Sequence, residues 1–77
     1  MNEKIIRVLS NILDKTTEEI LNLDKKHERY WDSLQSIEIV FCLEQEFGVS
    51  IESDDISLLK SISSIEEVIS RLLKKNP

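Results

Sequence analysis

Apolar residues recur along this chain at helical spacing. Ile5, Val8, Leu9, Ile12 and Leu13 share one face of a helix predicted over residues 3–15, with polar residues in the gaps. Lys15 falls in its last turn, where a cation suits the helix dipole. The pattern then weakens from residue 16 to 32. Thr16 and Glu19 have capping-box spacing, which predicts a short helical turn. Residues 22–29 are polar and aperiodic and are expected to form a long loop, a feature that in so small a chain usually has a function.

A second long helix is predicted over 33–47. Asp32 is placed as its N-cap, with Gln35 three residues on, and Gly48 stands where a left-handed residue ends a helix. Val49-Ser50-Ile51 is too short for a strand of its own. A short third helix is expected from 54 or 55 to 60, with Ile56, Leu58 and Leu59 available to pack. The last helix is expected over 64–75, introduced by two overlapping capping boxes, Ser63 with Glu66 and Ser64 with Glu67. Ile65, Val68, Ile69 and Leu72 form its apolar face, and Lys74 and Lys75 lie at its C-terminal end. The expected fold is all-α, a small four-helix bundle with a long first loop and a short third helix.

The helix over 33–47 carries more apolar surface than a bundle helix needs. Projected at about 100° per residue, Ile39, Val40, Leu43 and Phe47 fall within roughly 100° of one another, an ordinary core stripe. Leu34, Ile37 and Phe41 form a second stripe about 130° away, flanked by Glu38 and Gln45 on one side and Glu44 on the other. Periodicity alone leaves two readings open. Either the helix is buried on both sides, or the second stripe is an exposed docking patch with an acidic border. The position of that stripe beneath Ser33 favours the second.

Composition narrows the function. The chain has 77 residues, 40% hydrophobic and 32% charged, with one Gly and one Pro. That length fits a single domain over 1–77 with a thin core and little room for a deep substrate cleft, so an enzyme is not expected. The net charge of −5 disfavours a nucleic-acid partner, because phosphate recognition needs clustered Lys and Arg. Charges interrupt the N-terminus too often for a signal peptide, and no segment is long enough to span a bilayer. Cys42 is the only cysteine and cannot form an internal disulfide. These features predict a cytoplasmic monomer.

Ser33 is the candidate for chemistry. It opens the second long helix, where unpaired N–H groups and the positive dipole end favour an anion such as a phosphodiester. Taken alone, Asp-Ser is an ordinary helix cap. Its setting is more specific. Asp32-Ser33-Leu34, Ile37-Glu38, Leu43-Glu44-Gln45-Glu46-Phe47-Gly48-Val49 and Ile62-Ser63-Ser64-Ile65-Glu66-Glu67-Val68 together resemble the acyl carrier protein family over nearly the whole chain.

The resemblance implies that Ser33 receives a covalent 4′-phosphopantetheine from a phosphopantetheinyl transferase, with Asp32 beside it. The arm's thiol would hold an acyl or aminoacyl group as a thioester, for delivery to enzymes that load and accept it. It also implies that Leu34, Ile37, Glu38 and Phe41 form the partner-binding surface, and that the carrier catalyses nothing itself. Three features depart from the family's usual pattern: Trp31 in place of a common Gly, the neutral Gln35 and Gln45 with added Lys25, Lys26 and Arg29, and a less acidic, slightly longer 53–61 segment. They favour a dedicated carrier in a specialised biosynthetic pathway; a fragment of a modular synthase is the other option, against which the length points to a free-standing protein. The alternative is a small helical interaction domain without a prosthetic group.

Other residues have plainer expectations. His27 is expected to be a solvated loop residue and Cys42 a packing residue. Tyr30 and Trp31 are expected to pin the loop onto the bundle. No Cys/His spacing suggests zinc.

Overall fold

The computed structural model describes residues 3–26 and 30–75. Five helices follow in chain order: α1 (Glu3–Leu13), α2 (Thr17–Asp24), α3 (Ser33–Phe47), α4 (Ser53–Ile56) and α5 (Ile62–Lys75). No strand occurs among the described residues. The all-α expectation therefore holds, with the part between the first two long helices more ordered than foreseen.

α1 packs on α3, α2 and α5, and its apolar face supplies Ile5, Ile6 and Leu9 to the core. It ends before Lys15, contrary to expectation. Asp14 turns left-handed at φ 55°, and the Lys15 N–H returns to the Ser10 carbonyl at 3.1 Å. The Ser10 hydroxyl also donates to the Lys15 carbonyl. Asp tolerates this conformation better than most residues, so the chain reverses there and Lys15 falls outside the helix.

The predicted capping box at Thr16 is present. Glu19 N–H donates to Thr16 Oγ1 at 3.2 Å, and Thr16 N–H donates to Glu19 Oε1 at 3.0 Å. The helix it starts does not stop after one turn. Ile20 is fully buried, and Leu21 and Leu23 are half-buried, which carries α2 on to Asp24. Tertiary burial overrides the weak local pattern there, so the expected loop from residue 22 is shorter by three residues. His27, with Arg29, lies outside the described residues.

α3 has the predicted boundaries because both ends are chemically marked. Gly48 closes it at φ 64°, with its N–H on the Glu44 carbonyl at 2.9 Å. The following segment is not a strand, yet Val49 and Ile51 are buried. The Ile51 N–H is satisfied by Glu44 Oε2 at 2.7 Å. Glu44 is thus engaged in holding the chain exit and is not a free acidic border.

α4 is displaced from its expected 54–60 span. It starts at Ser53 and ends at Ile56, after which turns carry the chain to α5. Leu59 is buried as expected, whereas Leu58 is exposed. Asp55, expected to start the helix, is instead buried within it and paired with the Arg71 guanidinium of α5.

α5 begins two residues before the expected Ser64. Neither predicted capping box forms at its start, because Ser63 and Ser64 lie inside the helix. The first turn is closed by a different reciprocal pair. The Ser64 N–H donates to Ser61 Oγ at 3.2 Å, and the Ser61 N–H donates to Ser64 Oγ at 2.9 Å. Ser64 takes the acceptor part that Glu or Gln plays in the usual box. Ile62, Ile65, Val68 and Ile69 then join Ile5, Leu9, Ile20, Ile39 and Leu43 in one continuous core. No helix among the described residues is long and apolar enough to cross a membrane.

The Asp55–Arg71 pair ties the short α4 to the bundle. Arg71→Ala should leave the buried Asp55 carboxylate without its partner and lower stability by about 1–3 kcal/mol. Urea unfolding followed by helical circular dichroism measures this, with Ser70→Ala as the neighbouring exposed control.

Candidate functional site

The N-terminus of α3 is built by Asp32, not by Ser33. The Asp32 side chain accepts the Gln35 N–H at 2.8 Å, and Gln35 Oε1 accepts the Asp32 N–H at 3.0 Å. The Ser36 N–H is taken by the Asp32 carbonyl at 2.9 Å. Ser33 is therefore the first residue inside the helix, and the cap is complete without its hydroxyl. Ser33 is exposed, and its hydroxyl makes no hydrogen bond among the described residues.

The backbone around it is suited to an anion. The Ser33 and Leu34 N–H groups are among the first-turn donors that a helix leaves without an internal partner, and neither finds one among the described residues. They meet the positive end of a 15-residue helix. An exposed serine oxygen beside two free N–H groups can be esterified by a phosphate, with its negative oxygens directed to those donors. The residues present thus fit a phosphodiester-linked group.

The segment leading into Ser33 is anchored by Asp24, at the end of α2. Its Oδ1 accepts the Tyr30 hydroxyl at 2.8 Å and the Ile62 N–H at 2.9 Å. One carboxylate oxygen therefore joins α2, the approach to Ser33 and the first residue of α5. Tyr30 packs edge-on against Trp31, with ring centroids 4.9 Å apart, and Trp31 is buried in the core. The aromatic pair pins the loop as expected. The Trp31 indole N–H is buried with no hydrogen-bond partner among the described residues, so packing alone holds that ring. Asp24 was not singled out in the sequence, since its partners lie 6 and 38 residues away.

The second apolar stripe of α3 is outside the core. Leu34, Ile37 and Phe41 are 73%, 67% and 62% exposed, whereas Ile39, Val40 and Leu43 are buried. This excludes the reading in which the helix is buried on both sides, because such a helix would hide both stripes. Glu38 and Gln45 are exposed beside the stripe. Cys42 is half-buried on the flank between the two faces. Among the described residues no group of three or more His, Cys, Asp or Glu side chains is placed to hold a metal ion.

Residues 3–72 match the family described as "Phosphopantetheine attachment site". This chain belongs to the acyl carrier protein family. Full-length similarity supports the same conclusion. The chain is 30% identical over 79 residues to the acyl carrier protein of Buchnera aphidicola subsp. Schizaphis graminum, covering 97% of this chain and 96% of that protein. It is 27% identical over 70 residues to the acyl carrier protein of Rickettsia bellii, covering 90% and 86%. The chloroplastic acyl carrier protein 4 of Cuphea lanceolata is 36% identical over 44 residues, 57% of this chain. That match spans about a third of the Cuphea protein's length, 32%. No solved structure matches the chain. The prosthetic group that goes with the family is a covalently attached 4′-phosphopantetheine.

Tyr30 gives a direct readout of the anchored approach. Its phenol is held well above the ordinary range, first by burial and then by its hydrogen bond to the Asp24 carboxylate and by that group's charge. Below about pH 10 both folded and unfolded chains keep the proton. Above it the unfolded chain loses the proton and the folded one keeps it, so this group's stabilisation is lost as pH rises past about 10. Tyr30 is the only tyrosine. Tyrosinate absorbance should therefore be missing from the folded protein at about pH 10.5 and appear on unfolding with urea at the same pH. In Asp24→Ala it should appear without urea at lower pH than in the parent.

Proposed function

We propose that Ser33 carries the phosphopantetheine arm and that the chain holds an acyl group on it as a thioester. The observation that carries this is the division of labour at the head of α3. Asp32 and Gln35 complete the cap between them, which leaves the Ser33 oxygen exposed and unengaged beside free N–H donors. In the loading step the Ser33 oxygen forms a new P–O bond. The pyrophosphate bond of the phosphopantetheine donor breaks, its leaving group departs as the phosphate ester, and the hydroxyl proton passes to a base on the transferase. When bound, the arm supplies a terminal thiol for thioester chemistry. This chain's residues supply the attachment point, a dipole for the phosphodiester and a surface for the enzymes that act on the cargo.

The partners are a phosphopantetheinyl transferase and the enzymes that load and accept the acyl group. They dock on Leu34, Ile37, Glu38 and Phe41, which lie beside and below Ser33 on the exposed side of α3. The carrier is acted on and performs no catalysis. We further propose a dedicated biosynthetic pathway in the cytoplasm over the central fatty-acid pathway. Neutral Gln35 and Gln45 on α3, and the exposed Lys25 and Lys26 after α2, support that choice.

Intact mass tests the attachment. Incubation with coenzyme A and a broad-specificity phosphopantetheinyl transferase should add one phosphopantetheine to the parent chain and none to Ser33→Ala. Gain of the group by Ser33→Ala would move the site elsewhere. Asp32→Ala should still be modified, since Asp32 caps and does not react. Its stability should fall by about 1 kcal/mol from loss of the cap.

A further inference from the structure

We infer that Asp24 is a positioning residue for loading at Ser33, acting through Tyr30 and the cap at Asp32; this rests on Ser33 being the attachment point. Ser33 is the first residue of α3, and helices fray from their end turns. The direction of its hydroxyl therefore depends on the residues that lead into it. Those residues have few ties. Among the described residues, the segment 30–32 makes a single hydrogen bond outside α3 and its cap, from the Tyr30 hydroxyl to Asp24 Oδ1 at 2.8 Å. Its other tie is the buried Trp31 ring, whose N–H has no partner among the described residues.

Asp24 is itself held in place. The same Oδ1 accepts the N–H of Ile62, 38 residues away at the start of α5, at 2.9 Å. Ile62 is 1% exposed and belongs to the core. A carboxylate free to rotate would give Tyr30 a movable partner. Bound to Ile62, its oxygen is a fixed point, and the head of α5 becomes the reference for the approach to Ser33. The three residues from Tyr30 to Ser33 span at most about 11 Å, so a shift at the phenol is passed on over a short stretch of chain.

Magnitudes place the effect in loading more than in folding. A hydrogen bond to a charged group is worth about tenfold to a hundredfold in an equilibrium constant. Without the Tyr30 bond, packing alone holds the approach, and its open population rises accordingly. The Ser33 oxygen has to meet the donor phosphorus in line, and a misplacement of about 1 Å can lower a rate about a hundredfold. The core that joins α1, α3 and α5 does not include Asp24, so the bundle survives its loss.

The test is transferase-catalysed loading from saturating coenzyme A, read by intact mass with the carrier concentration varied. Asp24→Ala should lower kcat about tenfold and leave KM within about twofold, because this half-buried residue acts once the carrier is bound. Asp24→Asn keeps an oxygen that accepts both donors and should restore kcat to within about twofold of the parent. Tyr30→Phe keeps the ring without the hydroxyl and should lower kcat about threefold. Exchange of the Gln35 N–H, bound by the Asp32 carboxylate, should quicken in Asp24→Ala and in Tyr30→Phe. Arg71→Ala removes a different tie, about 13 Å along α5 from Ile62, and should leave kcat unchanged. Parent-like kcat in Asp24→Ala, an equal loss in Asp24→Asn, or an equal loss in Arg71→Ala overturns the inference and leaves the attachment site standing. If Asp24→Ala does not fold, Tyr30→Phe decides, and a parent-like kcat there overturns it. A parent chain that is never loaded overturns the attachment site and the inference with it.

Discussion

The carboxylate of Asp32, turned back onto the Gln35 N–H, determines what Ser33 is able to do. A helix start has more N–H groups than partners, and a serine at that place is commonly drawn into capping them. Here the cap is closed by Asp32 and Gln35 acting on each other's backbone N–H. Ser33 is shifted one residue into the helix, where its hydroxyl is neither needed by the backbone nor covered by it. The helix gains its start and the serine stays available, two demands that one residue could not meet together.

Position also depends on what holds α3 in place. Asp24 gathers the Tyr30 hydroxyl and the α5 N–H onto one oxygen, and Trp31 is buried one residue before the cap. The approach to Ser33 is thereby fixed at two points, one polar and one apolar. In a chain this short the core is thin, so such ties matter more than they would in a larger domain. Asp55 with Arg71 plays the same part for α4, a four-residue helix too short to hold itself.

What was legible in the sequence follows from distance along the chain. α3 was readable at both ends because its signals are local: Asp32 with Gln35 at one end and Gly48 at the other. The Thr16 box was readable for the same reason, but the length of α2 was not. That length rests on Ile20 and Leu21 meeting the rest of the bundle, and no neighbour in sequence announces it. α5 was misplaced by two residues because Ser63 and Ser64 match the capping pattern better on paper than Ser61 does. The Ser61–Ser64 pair lacks the Glu or Gln that the pattern asks for. Asp24 and Asp55 were the least legible, because their partners are 38 and 16 residues away. At the site, Ser33 and the stripe of Leu34, Ile37 and Phe41 were identifiable, but periodicity could not say whether another element covered that stripe.

The exposed stripe and the free serine are best understood as one constraint. A phosphodiester on Ser33, as proposed, would place negative charge close to the Asp32 carboxylate, and in an acidic chain that repulsion would need an offset. The Ser33 and Leu34 N–H groups and the dipole of α3 are the local sources of it. A fully acidic docking face on the same helix would work against them, since its charges would share the space around the phosphate. The face instead mixes Glu38 and Glu44 at its edges with the neutral Gln45. Leaving Leu34, Ile37 and Phe41 in water forgoes their burial, a cost of about 1.5–3 kcal/mol for each side chain that burial would fully cover. That same free energy becomes available when a partner covers them. The surface that weakens the isolated chain is the one that a partner covering the head of α3 would bury.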